Sequence, residues 1–185
     1  MARLVWVLVV TLLCGPALAG KGSQESVHYD RPTIVSLVGV GTYNPYSSKA
    51  GSSPQATIGL RCLLPELKDR LLENSCVQLT ANVISTDFED LYGLQLSVLQ
   101  FLQRSSTFGF DHHFFYGAGV GSTMVERRQQ QDLLVPAFLF EAGLQSRIRD
   151  WHLETSLQLV IGPERGAYDI SGMVTKVVVA YHFDR

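Results

Sequence analysis

The sequence is poor in charge. Lys, Arg, Asp and Glu supply 17% of its 185 residues, against roughly 25% in an ordinary soluble domain. Hydrophobic residues supply 46%. Disordered chains have the opposite balance, so extensive disorder is excluded. Neither sign of charge dominates. Fifteen basic residues face 17 acidic ones, a net −2 with neutral histidine, so the basic footprint of a nucleic-acid binder is missing. There is no P-loop, no dinucleotide glycine fingerprint and no zinc-type Cys/His spacing, so no cofactor or metal is expected. Cysteine is scarce, with three in all. Beyond residue 19 no run of 18 apolar residues occurs, which excludes a transmembrane helix there.

Part of the apolar excess lies at the start. Residues 1–19 carry Arg3, an apolar run from Leu4 to Leu13 broken by Thr11, and Ala17-Leu18-Ala19 before Gly20. That is the pattern of a secretory signal peptide with its cleavage site. Cys14 does not make a lipobox, because Leu13 stands where a small residue is needed. The expected organisation is a signal peptide over 1–19, an N-terminal extension over 20–32 and one domain over 33–183. Cleavage leaves Cys62 and Cys76. In an oxidising compartment an even pair reads as a disulfide, with two unpaired thiols as the alternative. The bridge would close a loop of about 15 residues, worth about 3 kcal/mol in the chain-entropy model.

The rest of the chain alternates with period two, the mark of strands with two unlike faces. Eight segments show it: 33–43, 55–63, 77–87, 91–103, 113–124, 134–147, 151–161 and 171–183. In 113–124 the even positions are Phe114, Tyr116, Ala118, Val120, Ser122 and Met124, and the odd ones include Gly117, Gly119 and Gly121. Glycine weakens a strand, so three on one face suit a crowded, narrow lumen. One interval differs. Leu64, Leu67, Leu71 and Leu72, with Pro65 near the start, have helical spacing, and a short helix is expected over 64–75.

Two architectures fit eight such strands. A soluble barrel turns its apolar faces inward, and an outer-membrane barrel turns them to lipid. Three features favour lipid. The mixed faces are too poor in charge to be solvated. Aromatics gather at strand ends, with Phe108, Phe110, Phe114, Phe115, Tyr116, Trp151, Tyr181 and Phe183 at one end. Tyr43, Tyr46, Phe88, Tyr92 and Tyr168 fall at the other, giving two interfacial girdles. The segments also have roughly the 9–11 residues that a tilted strand needs to cross a bilayer.

Three stretches carry a family resemblance: Tyr116-Gly117-Ala118-Gly119-Val120-Gly121, Phe138-Leu139-Phe140-Glu141-Ala142-Gly143-Leu144-Gln145 and Val177-Val178-Val179-Ala180-Tyr181-His182-Phe183. The chain resembles the small outer-membrane β-barrel proteins of the OmpX, OmpW and OmpA-barrel kind over most of 33–183. The resemblance implies an all-β, eight-stranded antiparallel up-and-down transmembrane barrel. It also implies a final strand read by the barrel-assembly machinery. With both termini periplasmic, loops 44–54, 88–90, 125–133 and 162–170 would face outward. Segments 64–75, 104–111 and 149–150 would face the periplasm.

The expected lumen holds Arg61, Glu141, Gln145, Glu154, Gln158 and Lys176. An eight-stranded barrel is filled by its own side chains, so charges inside it must pair. The short turn at 149–150 sets Glu141 near Gln158 and Gln145 near Glu154, with Lys176 in reach of Glu154. A structural network is the expected role, with a proton or ion path as the alternative. The reactive-looking cluster is Asp111-His112-His113. A histidine there could activate a serine, but Ser122 is nine residues from His113 on the same strand, about 30 Å away. Adjacent strand histidines also point to opposite faces, which disfavours a shared metal. The expected function is therefore a non-enzymatic outer-membrane barrel with an envelope-structural or surface-interaction role. It would be monomeric, with outer-membrane lipids and lipopolysaccharide as surroundings. The alternatives are a lipid-modifying hydrolase of the lipid A deacylase type, and a soluble periplasmic barrel binding an apolar ligand.

Overall fold

The period-two segments form eight strands: β1 Thr33–Pro45, β2 Ser53–Leu63, β3 Ser75–Ser85, β4 Asp90–Thr107, β5 Phe110–Glu126, β6 Leu133–Ile148, β7 Trp151–Ile161 and β8 Gly172–His182. The computed structural model describes residues 33–46, 51–63, 75–86, 90–107, 110–126, 132–148, 151–163 and 170–182, with backbone alone for 103–107 and 110–111. Each strand pairs antiparallel with the next, and β1 pairs with β8, so the sheet closes. This is the up-and-down barrel expected. Closure removes both sheet edges, so no row of backbone donors and acceptors is left open.

The pleat then decides what lies inside. Large apolar side chains point outward: Val38 is 61% exposed, Ile58 62% and Phe138 64%. Arg61 and Glu154 point inward and are each 2% exposed. This is the reverse of a water-soluble barrel, and it overturns the alternative in which the apolar faces line a ligand cavity. The aromatic ends divide more finely than expected. Phe114, Tyr116 and Trp151 lie outside at the terminal end, where β1 begins and β8 finishes and where the Trp151 and Tyr181 rings are 4.7 Å apart. Tyr46 and Tyr92 lie outside at the far end. Phe115 and Tyr43 are buried in the lumen and do not belong to the girdles. Their neighbours in sequence face outward, so strand parity assigns them. Phe108, Phe88, Tyr168 and Phe183 are outside the described residues, as is the side chain of Phe110.

The strands that form the centre of the sequence run longer than expected. β4 has 18 residues, β5 17 and β6 16. The segment 104–111 is mostly hairpin and not turn, with pairing continued to Thr107↔Phe110 after a register shift between Phe101 and Arg104. Pro136 sits within β6, opposite Ser122 of β5. Pairing of β6 to β7 begins only at Phe138, so the missing N–H of Pro136 removes no bond on that side. The interval 64–74, where a helix was expected, lies outside the described residues, and Ser75 already belongs to β3.

The disulfide is a correction. Cys62 and Cys76 are both free thiols. In the β2–β3 register, Cys62 is opposite Val77 and Cys76 is opposite Leu63. Leu63 and Cys76 are buried in the lumen, so Cys62, one residue away, faces outward. Two sulfurs on opposite faces of one sheet cannot meet without breaking the register. Denatured without reductant, the chain is expected to alkylate at both Cys62 and Cys76. Protection of the two together, relieved by reductant, would contradict this register.

Candidate functional site: a sealed polar lumen

The lumen is layered. At the end with the termini, Val35, Leu37, Leu63, Cys76, Leu99, Phe115, Val178 and Ala180 pack into one apolar cluster. At the far end, Tyr43, Leu91, Val125, Val135, Leu139, Val160, Ile170 and Val174 form a second. The Tyr43 hydroxyl donates to the Ile170 carbonyl at 2.9 Å and ties that second plug across the β1–β8 seam. Polar side chains fill the layer between. The glycines of β5 make the room. A Cβ on Gly117 would lie 2.6 Å from Leu99 Cδ2 and 2.8 Å from Leu99 Cα, so the neighbouring lumen side chain occupies that space.

Arg61 of β2 reaches across the barrel to Glu154 of β7. Its Nη2 donates to Glu154 Oε2 at 2.7 Å, and its Nη1 binds the other carboxylate oxygen. Gln78 accepts from Arg61 Nε at 3.0 Å and from Nη2 at 2.6 Å. Gln145 donates to Glu154 Oε1 at 2.6 Å. The guanidinium also stacks 5.4 Å from the Phe101 ring centre, which joins the network to the terminal-end plug. The second ion pair is Lys176–Glu141, at 2.9 Å. Ser156 Oγ donates to Glu141 at 2.7 Å, and Gln158 Nε2 bridges Glu141 Oε2 at 3.4 Å and Gln95 Oε1 at 3.2 Å. Two cations and two carboxylates therefore cancel inside the barrel.

All six lumen residues singled out in the sequence point inward and are buried. The β6–β7 register pairs Glu141 with Gln158 and Gln145 with Glu154. The partner of Lys176 differs from expectation: it is Glu141, because Arg61 takes Glu154 from the opposite wall. That contact crosses the lumen, and strand adjacency carries no sign of it. Sequence reasoning also missed Gln78 and Gln95, and the Gln55–Thr57–Asn82 cluster. Their alternation in β2, β3 and β4 was the available signal.

One surface contact was missed as well. His112 Nδ1 lies 2.8 Å from Ser146 Oγ. The two are register partners on β5 and β6, on the outward face near the end with the termini. Among the described residues no group of three or more His, Cys, Asp or Glu could hold a metal ion.

The lumen network generates a thermodynamic prediction. Removing one side of a buried ion pair strands the other, at a cost of about 3–5 kcal/mol. Arg61→Met and Glu154→Gln should each destabilise the barrel by about that much in urea unfolding, and the double variant should recover part of the loss. Simple additivity of the two losses would show that the cross-lumen pair is not coupled.

No protein-family model matches the chain, and no curated protein matches it in sequence. Solved structures do match in fold. Neisserial surface protein A (NspA) is 9% identical with a TM-score of 0.55, over 82% of this chain and 97% of its own. Ail, the attachment invasion locus protein of Yersinia pestis, is 13% identical with a TM-score of 0.45, over 83% of this chain and 99% of its own. A second Ail structure, in complex with the heparin analogue sucrose octasulfate, is 14% identical with the same TM-score of 0.45. The chain has the fold of the small eight-stranded outer-membrane β-barrels.

Proposed function

We propose that this protein is an integral outer-membrane barrel with a non-enzymatic role, as an envelope component or a surface-interaction module. The observation that carries this reading is the inverted sidedness. The outer wall presents Ile34, Val38, Val40, Ile58, Leu60, Leu94, Val120 and Phe138, all more than half exposed. Monomeric soluble proteins rarely expose a continuous apolar patch above a few hundred Å². Lipid is the solvent that makes such a wall favourable. The lumen supports the same reading, because apolar plugs at both ends and paired charges between them leave no open path among the described residues. Export through a cleaved signal peptide over 1–19, insertion by the barrel-assembly machinery and contact with lipopolysaccharide belong to this proposal. A monomer suffices, since closure leaves no edge to pair.

Trp151 provides the test. The chain has two tryptophans, and signal cleavage would remove Trp6. Trp151 then reports alone, half-exposed on the outer wall beside Tyr181. In vesicles with brominated acyl chains its fluorescence should be quenched, most strongly by bromines near the headgroups. The folded band should also shift in mobility when boiled for SDS electrophoresis. A soluble periplasmic protein with unquenched Trp151 and no heat shift is the outcome that sinks the proposal.

The His112–Ser146 contact favours a second reading, hydrolysis of a lipid ester at the membrane rim. Ser146 Oγ would attack the ester carbonyl, His112 would take its proton and pass it to the departing alcohol, and water, deprotonated by His112, would then cleave the acyl-serine to release the acid. The geometry counts against it in one respect. Both residues lie within paired strands, where backbone N–H groups are committed to the ladder and cannot form an oxyanion hole. Ser146→Ala should therefore leave the acyl composition of phospholipid and lipid A unchanged on expression. Loss of a deacylated species in that variant would establish the enzyme.

A further inference from the structure

A small void interrupts the packing between the polar layer and the far-end plug. It has a volume of about 20 Å³ and is bordered by Gln55, Gln95 and Thr123 on its polar side and by Tyr43, Ile170 and Val174 on its apolar side. About 10–15 Å³ is enough for one water. Two buried polar atoms near it have no hydrogen-bond partner among the described residues. One is Gln55 Oε1, an acceptor, and the other is Asn82 Nδ2, a donor. Both side chains are more than nine-tenths buried, at 4% and 3% exposure. Their other ends are already joined, since Gln55 Nε2 donates to Asn82 Oδ1 at 3.0 Å and Thr57 Oγ1 donates to the same oxygen at 2.7 Å. Flipping either amide alone would break these bonds, and flipping both together only exchanges their roles, so one acceptor and one donor are left unpaired either way.

Gly93 marks the same region independently. The three atoms nearest to a Cβ there belong to Asn82 and Thr123, each at 3.7 Å, an ordinary contact distance. At Gly39, Gly41, Gly59, Gly117, Gly119 and Gly143 it would strike neighbouring backbone within 3 Å. Thr123 borders both this space and the void. The barrel is thus under-filled at one place, next to an unpaired donor and an unpaired acceptor.

We propose that the far half of the lumen is a binding site for a single structural water, which donates to Gln55 Oε1 and accepts from Asn82 Nδ2. The chemistry selects water over a monovalent cation. A cation would satisfy Gln55 Oε1, but it would be repelled by the Asn82 N–H, whereas water both donates and accepts. The site links β2 and β3 to β4 and β5 just beneath the Tyr43–Ile170 seal. It depends on the lumen alone and stands whether or not the outer wall faces lipid.

The test reads water directly. In the folded, isotopically labelled protein, the side-chain amide protons of Asn82 and Gln55 should show cross-peaks to a long-lived water. Gly93→Ser puts a hydroxyl into the void, and it should abolish those cross-peaks while leaving those of the other lumen amides in place. Assigned Asn82 and Gln55 amides without a water cross-peak would overturn the proposal. So would chemical shifts that follow sodium or potassium concentration, which would identify an ion instead.

Discussion

Closure of eight strands into a barrel is the constraint from which the other features follow. It pairs every strand on both sides, so the backbone needs no water. It also fixes the interior at a width that side chains fill. Any group that points inward must then find its partner inside. Arg61, Lys176, Glu141 and Glu154 do so as two ion pairs, to which the amides of Gln78, Gln145 and Gln158 add hydrogen bonds. Such pairs are weak evidence for added stability, because desolvation offsets much of the attraction. Their clearer consequence is specificity. Arg61 meets Glu154 from the opposite wall only in one register of β2 against β7, and a slip of one residue would turn either side chain out to the apolar face.

The strands were legible in the sequence because a barrel wall has two chemically opposite sides, and parity writes that contrast into every second residue. All eight segments appear in the structure within a few residues of their expected limits. Sidedness was legible too, through the shortage of charge on the mixed faces. What alternation does not carry is distance across the lumen. It gave the cross-strand neighbours of Glu154, yet the partner with the stronger claim came from three strands away around the wall. Parity also corrected two readings made from spacing alone. Cys62 and Cys76 sit on neighbouring strands, but on opposite faces. Phe115 and Tyr43 lie near strand ends, but point inward to build the plugs.

The same logic explains why His112 drew attention for the wrong reason. Within β5 no serine can reach it, since along a strand separation grows by about 3.3 Å per residue. Across the sheet the nearest side chain is the register partner, and that is Ser146. A polar pair of this kind also suits the rim of a membrane protein without chemistry. It lies at the same end as Trp151 and Tyr181, and Tyr116 there donates its hydroxyl to Gln100 at 2.6 Å. Two outward polar pairs, His112–Ser146 and Tyr116–Gln100, lie at this level.

Functional inference therefore turns on where the molecule keeps its chemistry. Reactive or binding chemistry requires groups that are both accessible and held ready. In this barrel the charged groups held most firmly are the least accessible, locked between two apolar plugs. The accessible wall between the girdles is almost wholly hydrocarbon. A catalyst would need its base, nucleophile and charge-stabilising donors on one open surface, and a transporter would need an open path through the polar layer. The lumen spends its polar groups on one another, and the wall spends its apolar groups on the surrounding solvent. That division suits a rigid scaffold.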